Sequence, residues 1–209
     1  MKKKIFLGVL LTLILTGCGQ KVITVADIQS DNGQENDYIE MKEFELKDGV
    51  AEKTEDMVRC CALLIPAGYV PSEEVEGMYV HERSPLDSSN IYYTVSEGDV
   101  EGMISKKLTK ETYEKTVEDA FSEEGWEIDL LVEDFEEIDI EGIPGYKIRS
   151  SYEVEDSKIE QLAYLILAED TYTITYSQMA DDELMADFDI SGTEIRLIRN
   201  EESSMAKRN

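Results

Sequence analysis

The sequence predicts an α+β fold, a central antiparallel sheet with two helices to cover it, and three observations carry that reading. From Glu133 to Ser177 the chain is a series of strand-like segments with joins short enough for hairpins, which implies antiparallel pairing. Thr109 to about Glu124 has the apolar period, the cap and the stop of a helix. Asp182 to about Ile190, with Leu184, Met185 and Phe188 turned inward, supplies a second helix, and only these two are available to cover the sheet.

The first element precedes the fold. Lys2, Lys3 and Lys4 are followed by an apolar run from Ile5 to Leu15 and then by Leu15-Thr16-Gly17-Cys18. The run is too short for a bilayer-spanning helix, which takes roughly 20 residues. A positive start, a short apolar stretch and small residues before a cysteine are the marks of a lipoprotein signal, and the segment resembles the bacterial lipobox. Residues 1–17 are therefore expected to be removed and Cys18 to become the diacylated first residue, holding the protein on the extracytoplasmic face of a bacterial cell membrane. Residues 18–37 are polar and rich in Gly, Asn, Gln and Asp, broken only by an apolar patch from Val22 to Val25, and read as a tether. The domain is expected over 38–209, with its core at about 57–198.

Within the domain, Phe44-Glu45-Leu46 and the Asp48-Gly49 turn suggest a short strand or hairpin. Met57 to Ile65 is an apolar run stopped by Pro66 and Gly68, the pattern of a strand buried on both faces. Tyr79 to Arg83 and Asn90 to Val95 are strands joined by the turn cluster Ser84 to Ser89. In the first helix Thr109 can cap, Tyr113, Val117, Ala120 and Phe121 share a face, Glu111 and Lys115 pair, Glu114 and Glu118 point outward, and Gly125 ends it. Tyr113, Val117 and Phe121 are read as core. Glu133 to Glu141 alternates around Ile138 and Ile140, and Gly142 to Gly145 separates it from Tyr146 to Tyr152. Ile159 to Ala168 has apolar residues on both parities, so it should be a central strand, and Thr171 to Ser177 places Tyr172, Ile174 and Tyr176 on one face.

Several phrases then look familiar: Pro66-Ala67-Gly68-Tyr69, the strand entry Asn90-Ile91-Tyr92, the helix before Gly125-Trp126, Ile140-Glu-Gly-Ile-Pro-Gly-Tyr146, Thr173-Ile-Thr-Tyr176 and Phe188-Asp-Ile-Ser191. In these, from about Met57 to Ile198, the chain resembles the PsbP-like family. The resemblance implies an α/β/α sandwich with helices on both faces of the sheet, and a role in binding or assembly rather than catalysis. It carries no catalytic residue.

Composition restricts the partners. Forty-seven acids stand against 20 lysines and arginines, a net charge of −27 that becomes −30 once the three lysines of residues 1–17 are lost. Such a surface repels phosphate backbones and anionic headgroups, which argues against nucleic acid and keeps the domain off the membrane that anchors it. Hydrophobic content of 42% suffices for a packed core.

No residue set stands out as catalytic. His81 is the only histidine; a triad with Ser84 or Ser88 can be imagined, but no Gly-x-Ser-x-Gly elbow occurs, and His81 is read as structural. The acidic run Glu133, Asp134, Glu136, Glu137, Asp139, Glu141 is the best metal candidate, but a row along a strand cannot converge on one ion, so no metal or other cofactor is expected. Cys60 and Cys61, neighbours on a strand, should give one buried and one outward thiol, and with one histidine they fall short of a metal site. Tyr92, Tyr93, Tyr146, Tyr164, Tyr172 and Tyr176 fall on strands, where packing is the ordinary role and a face that stacks on a sugar or holds a peptide the sharper one. These readings make the chain a membrane-anchored, non-enzymatic binding or assembly module for an unidentified protein or envelope partner. The alternative is a small-ligand or substrate-binding lipoprotein, to be recognised by a pocket above roughly 300 Å³ with converging polar groups.

Overall fold

The computed structural model describes residues 22–26, 38–50, 56–98, 108–154, 156–179 and 184–200. Cys18 and the apolar run before it lie outside the described residues. In chain order the elements are β1 (Val22–Ala26), β2 (Tyr38–Glu45), β3 (Val58–Pro66), β4 (Tyr69–Pro71), β5 (Met78–His81), β6 (Asn90–Glu97), α1 (Lys110–Glu123), β7 (Leu131–Ile140), β8 (Ile143–Val154), β9 (Ser157–Leu167), β10 (Asp170–Met179), α2 (Met185–Thr193) and β11 (Arg196–Arg199). They form a seven-stranded sheet in the order β4-β5-β6-β10-β9-β8-β7 and a four-stranded sheet in the order β1-β2-β3-β11, with every pairing antiparallel. The fold is α+β, mostly antiparallel sheet with two helices among the described residues.

The meander from β7 to β10 is the part built by local rules. Glu141 and Gly142, both at positive φ (52° and 85°), make the two-residue reversal between β7 and β8, the backbone that matches the twist of paired strands. β9 lies between β8 and β10, and its two parities serve two cores. Leu162, Tyr164 and Ile166 pack with Val58, Cys61, Leu63 and Ile65 of β3, with Tyr172, Ile174 and Tyr176 of β10 and with Phe188 of α2. Ala163, Leu165 and Leu167 pack instead with Val132, Tyr146 and Ile148, and Tyr113 and Val117 of α1 close over them.

Thr109 caps α1 as expected: its hydroxyl accepts from the Thr112 amide while the Thr109 amide donates to the Thr112 hydroxyl. The ion pair across a turn joins Lys110 and Glu114 at 3.8 Å rather than Glu111 and Lys115. Glu114 and Glu118 are not outward. They are half-buried, and their carboxylates accept from the amides of Val132 and Leu130 at 3.3 and 3.1 Å, fastening the helix to the start of β7. α2 begins at Met185, with 180–183 outside the described residues, and runs three residues beyond the expected Ile190. Phe188 is fully buried there, with Leu184 and Met185 packed at its margin.

Three expectations change. Val22–Ala26, inside the stretch read as tether, is strand β1, paired in register with Tyr38–Lys42. Four of its five residues are β-branched, which suits a strand, so the segment between Cys18 and Tyr38 is not uniformly a linker. The tyrosine face of the large sheet is covered by a second sheet as well as by a helix, since β3 supplies most of the opposing core. Finally, Cys60 and Cys61 are both buried and both free, because both faces of β3 are covered and neither parity reaches solvent. Burial, first among the causes, pushes their thiols up to about 11 and about 12, so they stay protonated near neutral pH.

Candidate functional site

A single helix cannot cover a seven-stranded sheet. At 14 residues α1 is about 21 Å long and roughly 10 Å wide, whereas seven strands span roughly 29 Å. It sits against β7, β8 and β9. Beside it, over β9, β10 and β6, no described element covers the sheet, and a groove of about 680 Å³ runs between the helix and the strands.

One wall is apolar: Leu108, Tyr113, Val117, Ala120 and Phe121 from the helix side, with Tyr152 edging it, its ring 5.3 Å from that of Phe121. The floor is polar. β10 contributes Thr173, Thr175 and Ser177, the residues that alternate with the buried Tyr172, Ile174 and Tyr176. Register places Ser177 between Asn90 and Gln161, and Thr175 between Tyr92 and Ala163, so hydroxyls and amides form cross-strand rows. Gln161 donates to Ser177 at 3.0 Å, and Asn90 to the Ser88 carbonyl at 3.3 Å. The hydroxyls of Tyr92, Thr173 and Thr175 make no hydrogen bond to the described residues. Among the described residues no Lys, Arg or His lines the groove, and the one carboxylate is Glu124 at the end of α1. Burial, with a smaller contribution from Tyr152, raises the Tyr113 phenol to about 12, so it is neutral and can donate.

The residues singled out in the sequence lie elsewhere. His81 does not meet Ser84 or Ser88. Its Nδ1 is 3.3 Å from Asp87, and Asp87 accepts from both the hydroxyl and the amide of Ser89 and from Arg83. The carboxylate sits between histidine and serine, the wrong order for a base to activate a nucleophile. Burial alone would raise the Asp87 pKa, but the Ser89 hydrogen bonds, His81 and Arg83 hold it below the ordinary carboxylate value. Ser89 also bonds the Tyr69 hydroxyl at 2.6 Å, so the network fixes the turn cluster onto the core. The acidic run is spread along the edge strand β7: Glu133 bonds Ser151 and lies near Lys158, and Asp139 accepts from the Gly142 amide at the turn. Glu45, Asp48 and Cys60 do come together, but the Arg59 guanidinium pairs with both carboxylates and Cys60 is protonated, which is poor cation chemistry.

Of the strand tyrosines, Tyr93, Tyr146, Tyr164, Tyr172 and Tyr176 are buried. Tyr172 donates to the carbonyls of Val58 and Arg59, and Tyr93 to that of Lys47, so they join the two sheets. Of the six strand tyrosines singled out in the sequence, Tyr92 is the one that lines the groove, where it joins Tyr113 and Tyr152. The groove residues that composition and motif did not reveal had one signal: the hydroxyls at alternate positions of Thr171-Tyr-Thr-Ile-Thr-Tyr-Ser177, odd for an interior strand with both faces packed.

Comparison with protein-family models gives no match, and comparison with the curated proteins gives none either. Among solved structures the class is clear: this is a PsbP-like fold. One structure it is similar to is the solution structure of cyanobacterial PsbP (CyanoP) from Synechocystis sp. PCC 6803, at a TM-score of 0.53 and 15% identity, over 66% of this chain and 86% of that one. At that identity the likeness concerns the fold.

Proposed function

We propose that this protein is a lipid-anchored, extracytoplasmic, non-enzymatic binding module, and that it holds its ligand in the groove beside α1. The observation that carries the reading is the groove itself: its volume lies within the roughly 300–1,000 Å³ of small-molecule sites, with an apolar wall and polar groups converging from three strands. That shape favours a small ligand, or a ligand-sized part of an envelope partner, over a flat protein interface. Among its described residues the groove offers one carboxylate with no second acid or base beside it, and this favours binding rather than turnover. In this reading the domain is a PsbP-like α/β/α sandwich, with α1 and α2 on opposite faces of the large sheet. Cys18 carries the lipid, and the acidic surface keeps the domain clear of anionic headgroups.

Two measurements test it. Metabolic labelling with palmitate should mark the wild type and not Cys18→Ser, which should leave the membrane fraction; an unlabelled wild type sinks the anchor. Native mass spectrometry of the protein purified from its own membranes should show a bound small molecule that Ala120→Trp, which fills the groove, lacks. Identical spectra would remove the groove as the site.

A further inference from the structure

We infer that the occupant is an uncharged amphiphile, a molecule with an apolar body against α1 and a hydroxyl- or carbonyl-bearing edge on the strand floor; this rests on the groove being the binding site. Three features of the lining select that chemistry. The first is charge. A carboxylate or phosphate would find no Lys, Arg or His among the described residues of the groove and would enter it against a chain of net charge −27. Among the described residues a cation would find Glu124 at one end and neutral groups along the rest, so its charge would be desolvated with a partner only at the rim.

The second feature is the pattern of the floor. Side chains on one face of β10 recur about every 6.8 Å, and their neighbours on β6 and β9 stand about 4.8 Å away. The Asn90–Ser177–Gln161 row and the Tyr92–Thr175 pair thus form a grid of groups that both donate and accept. The hydroxyls of Tyr92, Thr173 and Thr175 spend none of that capacity on the described residues. Such a grid suits a ligand edge with several neutral oxygens, which also both donate and accept or accept alone. The third is the wall. Tyr113, Val117 and Phe121, with Leu108 and Ile159, offer more apolar surface than a free sugar could use, so the ligand needs a hydrophobic body as well as a polar edge.

The test compares three eight-carbon probes as monomers: octyl glucoside, octanoate and octyltrimethylammonium, each titrated into the lipid-free Cys18→Ser protein by calorimetry and amide NMR. Octyl glucoside should saturate at one site, with shifts at Thr173, Thr175 and Phe121, and the charged probes should bind at least about 10-fold more weakly. Thr175→Val, which keeps shape and loses the hydroxyl, should weaken octyl glucoside about 3- to 10-fold, the effect of one neutral hydrogen bond, with thermal unfolding unchanged. Ala120→Trp should abolish binding. Transfer of a glycosyl diacylglycerol out of vesicles would assign the ligand to the membrane; uptake of only the monomeric glucoside would assign it to solution. Charged probes that bind as well as octyl glucoside and are blocked by Ala120→Trp overturn the uncharged class while the groove stands. Binding that Ala120→Trp leaves intact overturns the groove itself. No binding by any probe overturns the amphiphile.

Discussion

β10 has two sides with opposite fates. Tyr172, Ile174 and Tyr176 are fully buried under β3 and Phe188, with the hydroxyls of Tyr172 and Tyr176 bonded to the Val58 and Arg59 carbonyls and to Ser191. One residue along, Thr173 and Thr175 are half-buried in the groove. The strand is the same and its backbone is equally paired on both edges, so position in the sheet does not explain the difference. Cover does. A second sheet together with a helix is wide enough to close one face, and among the described residues a lone helix leaves a strip of the other uncovered. The closed face is where the stability should reside, and the open strip is where change is tolerated and binding is possible.

That contrast can be broken by mutation. The largest effect is expected on the closed face. Phe188, fully buried against Tyr69 and Tyr176, should cost about 3–5 kcal/mol as Phe188→Ala, seen as a fall of roughly 10 °C in the thermal midpoint. The sequence pattern places Phe121 in the core as well. Phe121 is only half-buried and borders the groove, so about 1–2 kcal/mol is expected for Phe121→Ala by chemical denaturation. Equal losses at the two phenylalanines would mean that the open face is as tightly packed as the closed one.

Smaller changes sharpen the same comparison. Glu118→Ala leaves the Leu130 amide without its acceptor and should destabilise by about 1 kcal/mol, where an outward acid would give about 0.5 or less. The smallest effect concerns the rim of the closed face, at Asp87. Its folded pKa is depressed, so the stability it contributes is present above the unfolded value of about 3.9 and is lost as pH falls through the lower folded value. The thermal midpoints of wild type and Asp87→Asn should differ at pH 7 and converge below about pH 4. A gap that persists in acid would show that the network acts through shape, not charge.

Much of the fold was legible because its signals are local. A reversal between β7 and β8 was legible, though expected at Gly142 to Gly145 where the structure turns at Glu141-Gly142 and already pairs Ile143 to Gly145 in β8; the α1 cap is written in Thr109, and the helix stop in Gly125, whose φ is +88°. The hairpin-sized joins of the second half give the meander. The four-stranded sheet was not legible, since β11 and β2 reach β3 from opposite ends of the chain and neither strand names its partner. The apolar patch Val22 to Val25 was visible, but only pairing with β2 distinguishes an edge strand from a sticky linker.

The sequence by itself determined the antiparallel meander, the capped first helix, the parity of the tyrosines and the resemblance to a PsbP-like domain, because periods of 2 and 3.6 and turn residues are set over a few neighbours. Tertiary structure alone decided that both vicinal cysteines are buried, that Glu114 and Glu118 turn inward to β7, that His81 serves Asp87, and that Thr173, Thr175 and Ser177 face an open groove. Each of these depends on which distant element lies over a residue, and the area of that cover is a property of the assembled layers that no short window of the chain contains.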